Sequence, residues 1–147
     1  MDYCLNVWGN CAKSELDMIY KLQKRAAFLI LDASIDHPSK LLFTELKWFT
    51  IYERIDFHKA ILLYKYLHGT APDYLEDLFR PFSTLYQLRS ILHGNLLAPK
   101  PRTKQFKKSF HYSGTVLWNK ISLHVKSEEN IRVFKKRYHE HVCISNR

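Results

Sequence analysis

Apolar positions fall at helical intervals along most of this chain. Leu16, Ile19, Tyr20, Gln23, Ala27 and Ile30 recur mostly at helical steps, with Lys21, Lys24 and Arg25 largely off that line. The stripe predicts an amphipathic helix over about residues 15–31 with these side chains in a core. Ser14, with Asp17 three residues on, reads as its capping pair, and Asp36-His37-Pro38 as its break. Pro38 suits a first helical turn, and Leu41, Leu42, Glu45 and Leu46 predict a short second helix. Thr50 and Glu53 form a further capping box. Ile51, Ile55, Ala60, Ile61, Leu62, Tyr64 and Leu67 then carry a long third helix to His68, where Gly69 supplies a left-handed cap. Pro72 opens a short helix, PDYLEDLF, whose Asp73, Glu76 and Asp77 suit the positive end of its dipole.

From residue 80 to 105 the periodicity is lost, and Pro81, Gly94, Pro99 and Pro101 punctuate a basic segment. Helical spacing returns over 108–119 through Phe110, Ser113, Leu117 and Trp118. A last helix after Ser127 sets Ile131, Phe134 and Tyr138 against Arg132, Lys135, Lys136 and Arg137. The expectation is a mainly α chain: one small multi-helix domain over 1–147 with one irregular basic segment at about 80–105.

Composition narrows this picture. A chain of 147 residues, 46% apolar and 14% aromatic, is long enough for a real core. The longest apolar run, Ala26 to Leu31, has six residues, whereas a membrane span needs about 20, so no membrane partner is expected. Asp2 is not followed by a basic and apolar leader, so no secretory signal is expected. Three cysteines, an odd count, fit a reducing compartment, and hence an intracellular location in nucleus or cytoplasm.

Charge adds more. Residues 1–75 hold nine Lys/Arg and nine Asp/Glu, whereas residues 76–147 hold fourteen and five and carry the whole net charge of +9. Between Asp77 and Glu128 stand nine Lys/Arg and no carboxylate. Such asymmetry implies a polyanionic partner, RNA or DNA, for the second half. Its densest part places Lys100, Arg102, Lys104, Lys107 and Lys108 within nine residues, followed by Phe110, Tyr112 and Trp118. Cations hold phosphates and flat rings stack on bases. The candidate contacts are therefore these five cations, Arg89 upstream, and Tyr112 as a stacking ring, with Phe110 or His111 as further possibilities. Phe110 and Trp118 share a helical face with Leu117 and are expected in the core instead.

Other chemistry is poorly supported. His139, His141 and Cys143 alternate near the C-terminus, but Cys4 and Cys11 have six residues between them and lack zinc-ligand spacing. No cofactor or metal is expected. No serine, cysteine or histidine lies in a hydrolase turn signature.

Seven pieces occur together in one order: YCLNVWGN at 3–10, LQKRA at 22–26, YKYLHGTAPDYLEDLF at 64–79, LRS at 88–90, PKPRT at 99–103, KSFHYSG at 108–114 and LWN at 117–119. Together they resemble the C-terminal region of reverse transcriptases from non-LTR retrotransposons of the jockey-like LINE type, over about Tyr3 to His141. The resemblance implies a region that follows the polymerase core and contains neither the endonuclease nor the palm carboxylates that hold the metal ions for nucleotidyl transfer. It therefore implies a non-catalytic chain that binds template RNA or target DNA. A protein-interaction module, or a relic without function, is the alternative. One departure stands at Ile121-Ser122, where the family usually has leucine and proline, and a looser turn after Trp118 is expected from it. Tyr3, Val7 and Trp8 are expected to be exposed if they once packed on upstream structure, with self-association through them as the consequence.

Overall fold

The computed structural model describes residues 3–34, 36–72, 75, 78, 79 and 94–145, the last three by backbone alone. Its described residues form eight helices and no strand: α1 Leu5–Trp8, α2 Lys13–Ile30, α3 Ser39–Glu45, α4 Ile51–Leu67, α5 Lys104–Lys108, α6 Phe110–Lys120, α7 Leu123–Lys126 and α8 Ile131–Ser145. The mainly α class expected from the pattern is the observed one. The chain packs as two compact units, 1–55 and 56–147, and the division falls inside α4. The charge divide near residue 80 and this packing divide are different boundaries.

In the first unit, α2 starts earlier than Ser14 and Asp17 predict. Ala12 is the N-cap residue, and its amide donates to the Glu15 carboxylate at 3.1 Å. Ser14 lies inside the helix, and Asp17 is left to accept from the Tyr52 hydroxyl. That hydrogen bond, with partial burial behind it, pushes the Tyr52 phenol up to about 12. Leu16, Gln23 and Ala27 are buried as the stripe predicts, but Ile30, at the far end of the helix, is exposed. Leu5, Leu16, Ile51 and Ile55 make a small core, with Trp8, Ile19, Tyr20 and Tyr52 packed on it.

Gln23 is the polar centre of this unit. Its amide nitrogen donates to the Phe49 carbonyl at 2.6 Å, and its oxygen accepts from the Ile51 amide at 2.9 Å. One buried carboxamide thereby satisfies two backbone groups where α4 begins. The Thr50–Glu53 box forms there as expected: the Thr50 amide donates to Glu53 at 2.7 Å, and the Glu53 amide donates to the Thr50 hydroxyl at 3.3 Å. Pro38 stands just before α3 rather than inside it. Leu42 and Phe43 turn inward from that helix, while Leu41 stays exposed.

The second unit has the larger core. Ala60, Leu63, Tyr64, Phe79, Trp118, Ile121, Val125, Phe134 and Tyr138 are all buried in it. Phe134 is its hub, with the Tyr64 ring at 4.4 Å and the Trp118 ring at 6.1 Å. Burying one such ring stabilises by about 2–3 kcal/mol. The Tyr64 hydroxyl donates to the Glu128 carbonyl at 2.7 Å, so its polar tip is satisfied. Gly69 has φ +63, the left-handed cap expected after α4. Gly114 lets α6 close on α4: a Cβ there would lie 3.3 Å from Leu63 and 3.2 Å from Phe110.

Two details differ from the sequence reading. The irregular segment gives way to α5 at Lys104, and the helix expected from residue 108 is interrupted at Ser109 before α6 begins. The turn at Ile121-Ser122 leads directly into α7. Ile121 is buried and extended, and the Ser122 carbonyl accepts from the amides of Val125 and Lys126 at 3.1 Å to open α7. Ser122 has φ −64, the value a proline would impose, so serine holds the same bend. Half of PDYLEDLF, residues 73, 74, 76 and 77, lies outside the described residues.

Candidate nucleic-acid interface

The basic segment is tied down at its start. Asn119 grips Leu96 at both backbone groups: it accepts from the Leu96 amide and donates to the Leu96 carbonyl, each at 2.9 Å. Next to it, the Trp118 indole donates to the Gly94 carbonyl at 3.1 Å, and the Lys126 ammonium donates to the Asn95 side chain at 2.8 Å. The Leu96 side chain is itself in the core. Trp118 and Asn119, two residues of the LWN piece, therefore position the PKPRT piece that precedes them in the chain.

Beyond that anchor the side chains alternate. Pro99 and Pro101 are half-buried, while Lys100 and Arg102 are exposed. Each proline restricts the residue before it to extended conformations, which keeps this stretch from coiling. Thr103 then caps α5, its hydroxyl accepting from the Phe106 amide at 3.1 Å. On α5, Lys104, Lys107 and Lys108 stand at i, i+3 and i+4 and share one face, all exposed, with half-buried Phe106 opposite. None of the five cations forms an ion pair among the described residues. All five are open to a ligand.

Ser109 joins α5 to α6. Its hydroxyl donates to the Phe106 carbonyl at 2.7 Å, closing α5, and accepts from the Tyr112 amide at 3.3 Å, opening α6. The rings that follow divide as their spacing predicts. Phe110 meets Phe79 edge-on at 5.3 Å, and Trp118 is buried. His111 also turns inward, with Phe79 at 5.6 Å and Phe106 at 6.0 Å, and burial pushes its imidazole pKa down. Phe110 and His111 are thus engaged with protein rings instead of free for bases. Tyr112 is half-buried. Arg89 lies outside the described residues.

Sequence reasoning missed where several other cations go. Lys59 is buried, its ammonium donating to the Ser113 hydroxyl at 3.1 Å, and burial lowers its pKa. The signal was present, because Ile55, Lys59 and Leu63 step by four along α4. Lys126 is also buried, 5.8 Å from the Trp118 ring, and desolvation lowers its pKa to about 8. Arg137 is bound to Glu128 and His124. By contrast, Arg132, Lys135 and Lys136 on α8 are exposed and repeat the i, i+3, i+4 spacing of Lys104, Lys107 and Lys108.

Among the described residues no three His, Cys, Asp or Glu side chains lie together as metal ligands, and the Cys143 side chain lies outside the description. No helix among them is long and apolar enough to cross a membrane. Comparison with protein-family models, curated proteins and solved structures found no match to this chain.

Proposed function

We propose that this chain is a non-catalytic C-terminal piece of a retrotransposon RNA-directed DNA polymerase that holds template RNA or target DNA along residues 100–108. One observation carries the reading: five exposed cations, without carboxylate partners, follow one another on a segment anchored by Trp118 and Asn119. Phosphate oxygens are the natural partners of such a row. The order of the seven sequence pieces supports the polymerase origin. In this reading the chemistry belongs to other parts of the parent enzyme, and the chain acts within the nucleus or cytoplasm.

If about five phosphates are engaged, the logarithm of the binding constant falls with log salt at a slope of roughly −3.5 to −4.5. Filter binding of single-stranded RNA and duplex DNA across a salt series measures it. Reversing Lys104, Lys107 and Lys108 to glutamate should abolish binding at moderate salt while circular dichroism stays unchanged. A slope near zero, or unaltered binding by the triple variant, would leave a protein-interaction module as the better reading.

A further inference from the structure

The helix α2 has a second apolar face that the core does not use. Glu15, Met18, Leu22, Arg25 and Leu29 are spaced three, four, three and four apart, the a and d positions of a heptad. At 100° per residue Met18, Leu22, Arg25 and Leu29 lie within an arc of about 60°, opposite the buried Leu16, Gln23 and Ala27. Met18 is 60% exposed, Leu22 63% and Leu29 78%. Arg25 is exposed and forms no ion pair among the described residues, and Glu15 uses one carboxylate oxygen on the Ala12 amide.

We infer that this face pairs antiparallel with α2 of a second copy of the same chain. The order of residues selects that occupant. With the two-fold axis beside residue 20, Met18 faces Leu22 of the other copy, and Glu15 faces Arg25, each twice by symmetry. These are the a-to-d layers of an antiparallel helix pair, with an apolar centre and opposite charges at both ends. A parallel copy would set Glu15 on Glu15 and Arg25 on Arg25. A nucleic acid would leave the apolar centre unmatched. Lys21 borders the stripe beside the axis and meets its own counterpart, which keeps the association weak. The surface is distinct from residues 3–8, where Tyr3, Val7 and Trp8 were the sequence-based expectation for self-association; Tyr3 and Val7 are exposed, but Trp8 is half-buried because it packs on the small core.

Sedimentation equilibrium of the full chain over a dilution series tests the pairing. The expected result is a reversible monomer–dimer equilibrium, with Leu22→Glu raising its dissociation constant by about thirtyfold. Arg25→Glu alone and Glu15→Lys alone should each be monomeric, because each places like charges in both outer layers. Mixed together they should form a heterodimer, since both acids of the first variant then face both bases of the second. Circular dichroism of each variant checks that α2 persists. A wild-type monomer at every concentration overturns the inference. So does a dimer indifferent to Leu22→Glu, or one lost only on Val7→Asp, which would place the contact on α1. Failure of the complementary pair to associate overturns the antiparallel register.

Discussion

Each unit uses one carboxamide to grip a distant piece of backbone, and the two grips differ in what they secure. Gln23, buried in the first unit, holds the Phe49 carbonyl and the Ile51 amide and so fixes the entry to α4. Asn119, half-buried in the second, holds both backbone groups of Leu96 and so fixes the start of the cationic segment. The first grip serves the core and the second serves the surface. The surroundings match. The first unit holds seven Lys/Arg and seven Asp/Glu and leaves apolar side chains exposed on α2, whereas the second holds sixteen and seven and buries even Lys59 and Lys126. A neutral surface that is apolar in places suits another protein, and a cationic one suits a polyanion.

Substitutions can break this contrast at several strengths. The largest effect is expected in the second unit, where Trp118→Ala removes both a core ring and the bond to Gly94. Urea unfolding should register a loss of about 3–5 kcal/mol. Gln23→Ala comes next. It strands a buried amide and a carbonyl, costing roughly 2–3 kcal/mol, and hydrogen exchange at Ile51 should quicken. Asn119→Ala should cost only about 1 kcal/mol, because water can reach the released groups. Its readout is faster exchange at Leu96 together with weaker RNA binding. Equal costs for the two carboxamides would erase the distinction between a core grip and a surface grip.

A further contrast is in pH dependence, where the units pull in opposite directions. Lys126 releases its proton near pH 8 when folded and near 10.5 when unfolded. The unfolded chain therefore binds the extra proton between those values, and stability rises as pH climbs through them. Tyr52 keeps its proton to about 12 when folded but loses it near 10 when unfolded, so stability falls as pH rises from about 10. Denaturation midpoints should peak near pH 10, with Lys126→Met flattening the rise and Tyr52→Phe the fall.

The long elements were legible because period and caps agreed: the stripes of α2 and α8, the Thr50–Glu53 box and Gly69 all speak for the same helices. The start of α2 was misplaced because two pairs three residues apart compete there. Glu15 takes the Ala12 amide, and Asp17 finds a partner in Tyr52, thirty-five residues away, which no local rule anticipates. Ile30 keeps the stripe's period, yet the core does not extend to the end of the helix. In the basic segment, the exposure of the cations follows from their density and the absence of acids. Their anchor does not, because the Asn119–Leu96 grip spans twenty-three residues and joins a helix to an irregular stretch of chain. Helix α7, at four residues, is too short to show a period at all.

The Ser109 hydroxyl makes charge and shape separable in this protein. A five-residue helix has no stability of its own, so α5 depends on its ends and on Phe106 for its form. Withdrawing one oxygen, as in Ser109→Ala, removes a bond from α5 and one from α6 while leaving every cation in place. The attraction of the segment for any polyanion would survive at long range, but the three lysines would no longer share a face. Under the proposed function, the change would fall on how the segment fits a strand and leave its charge untouched.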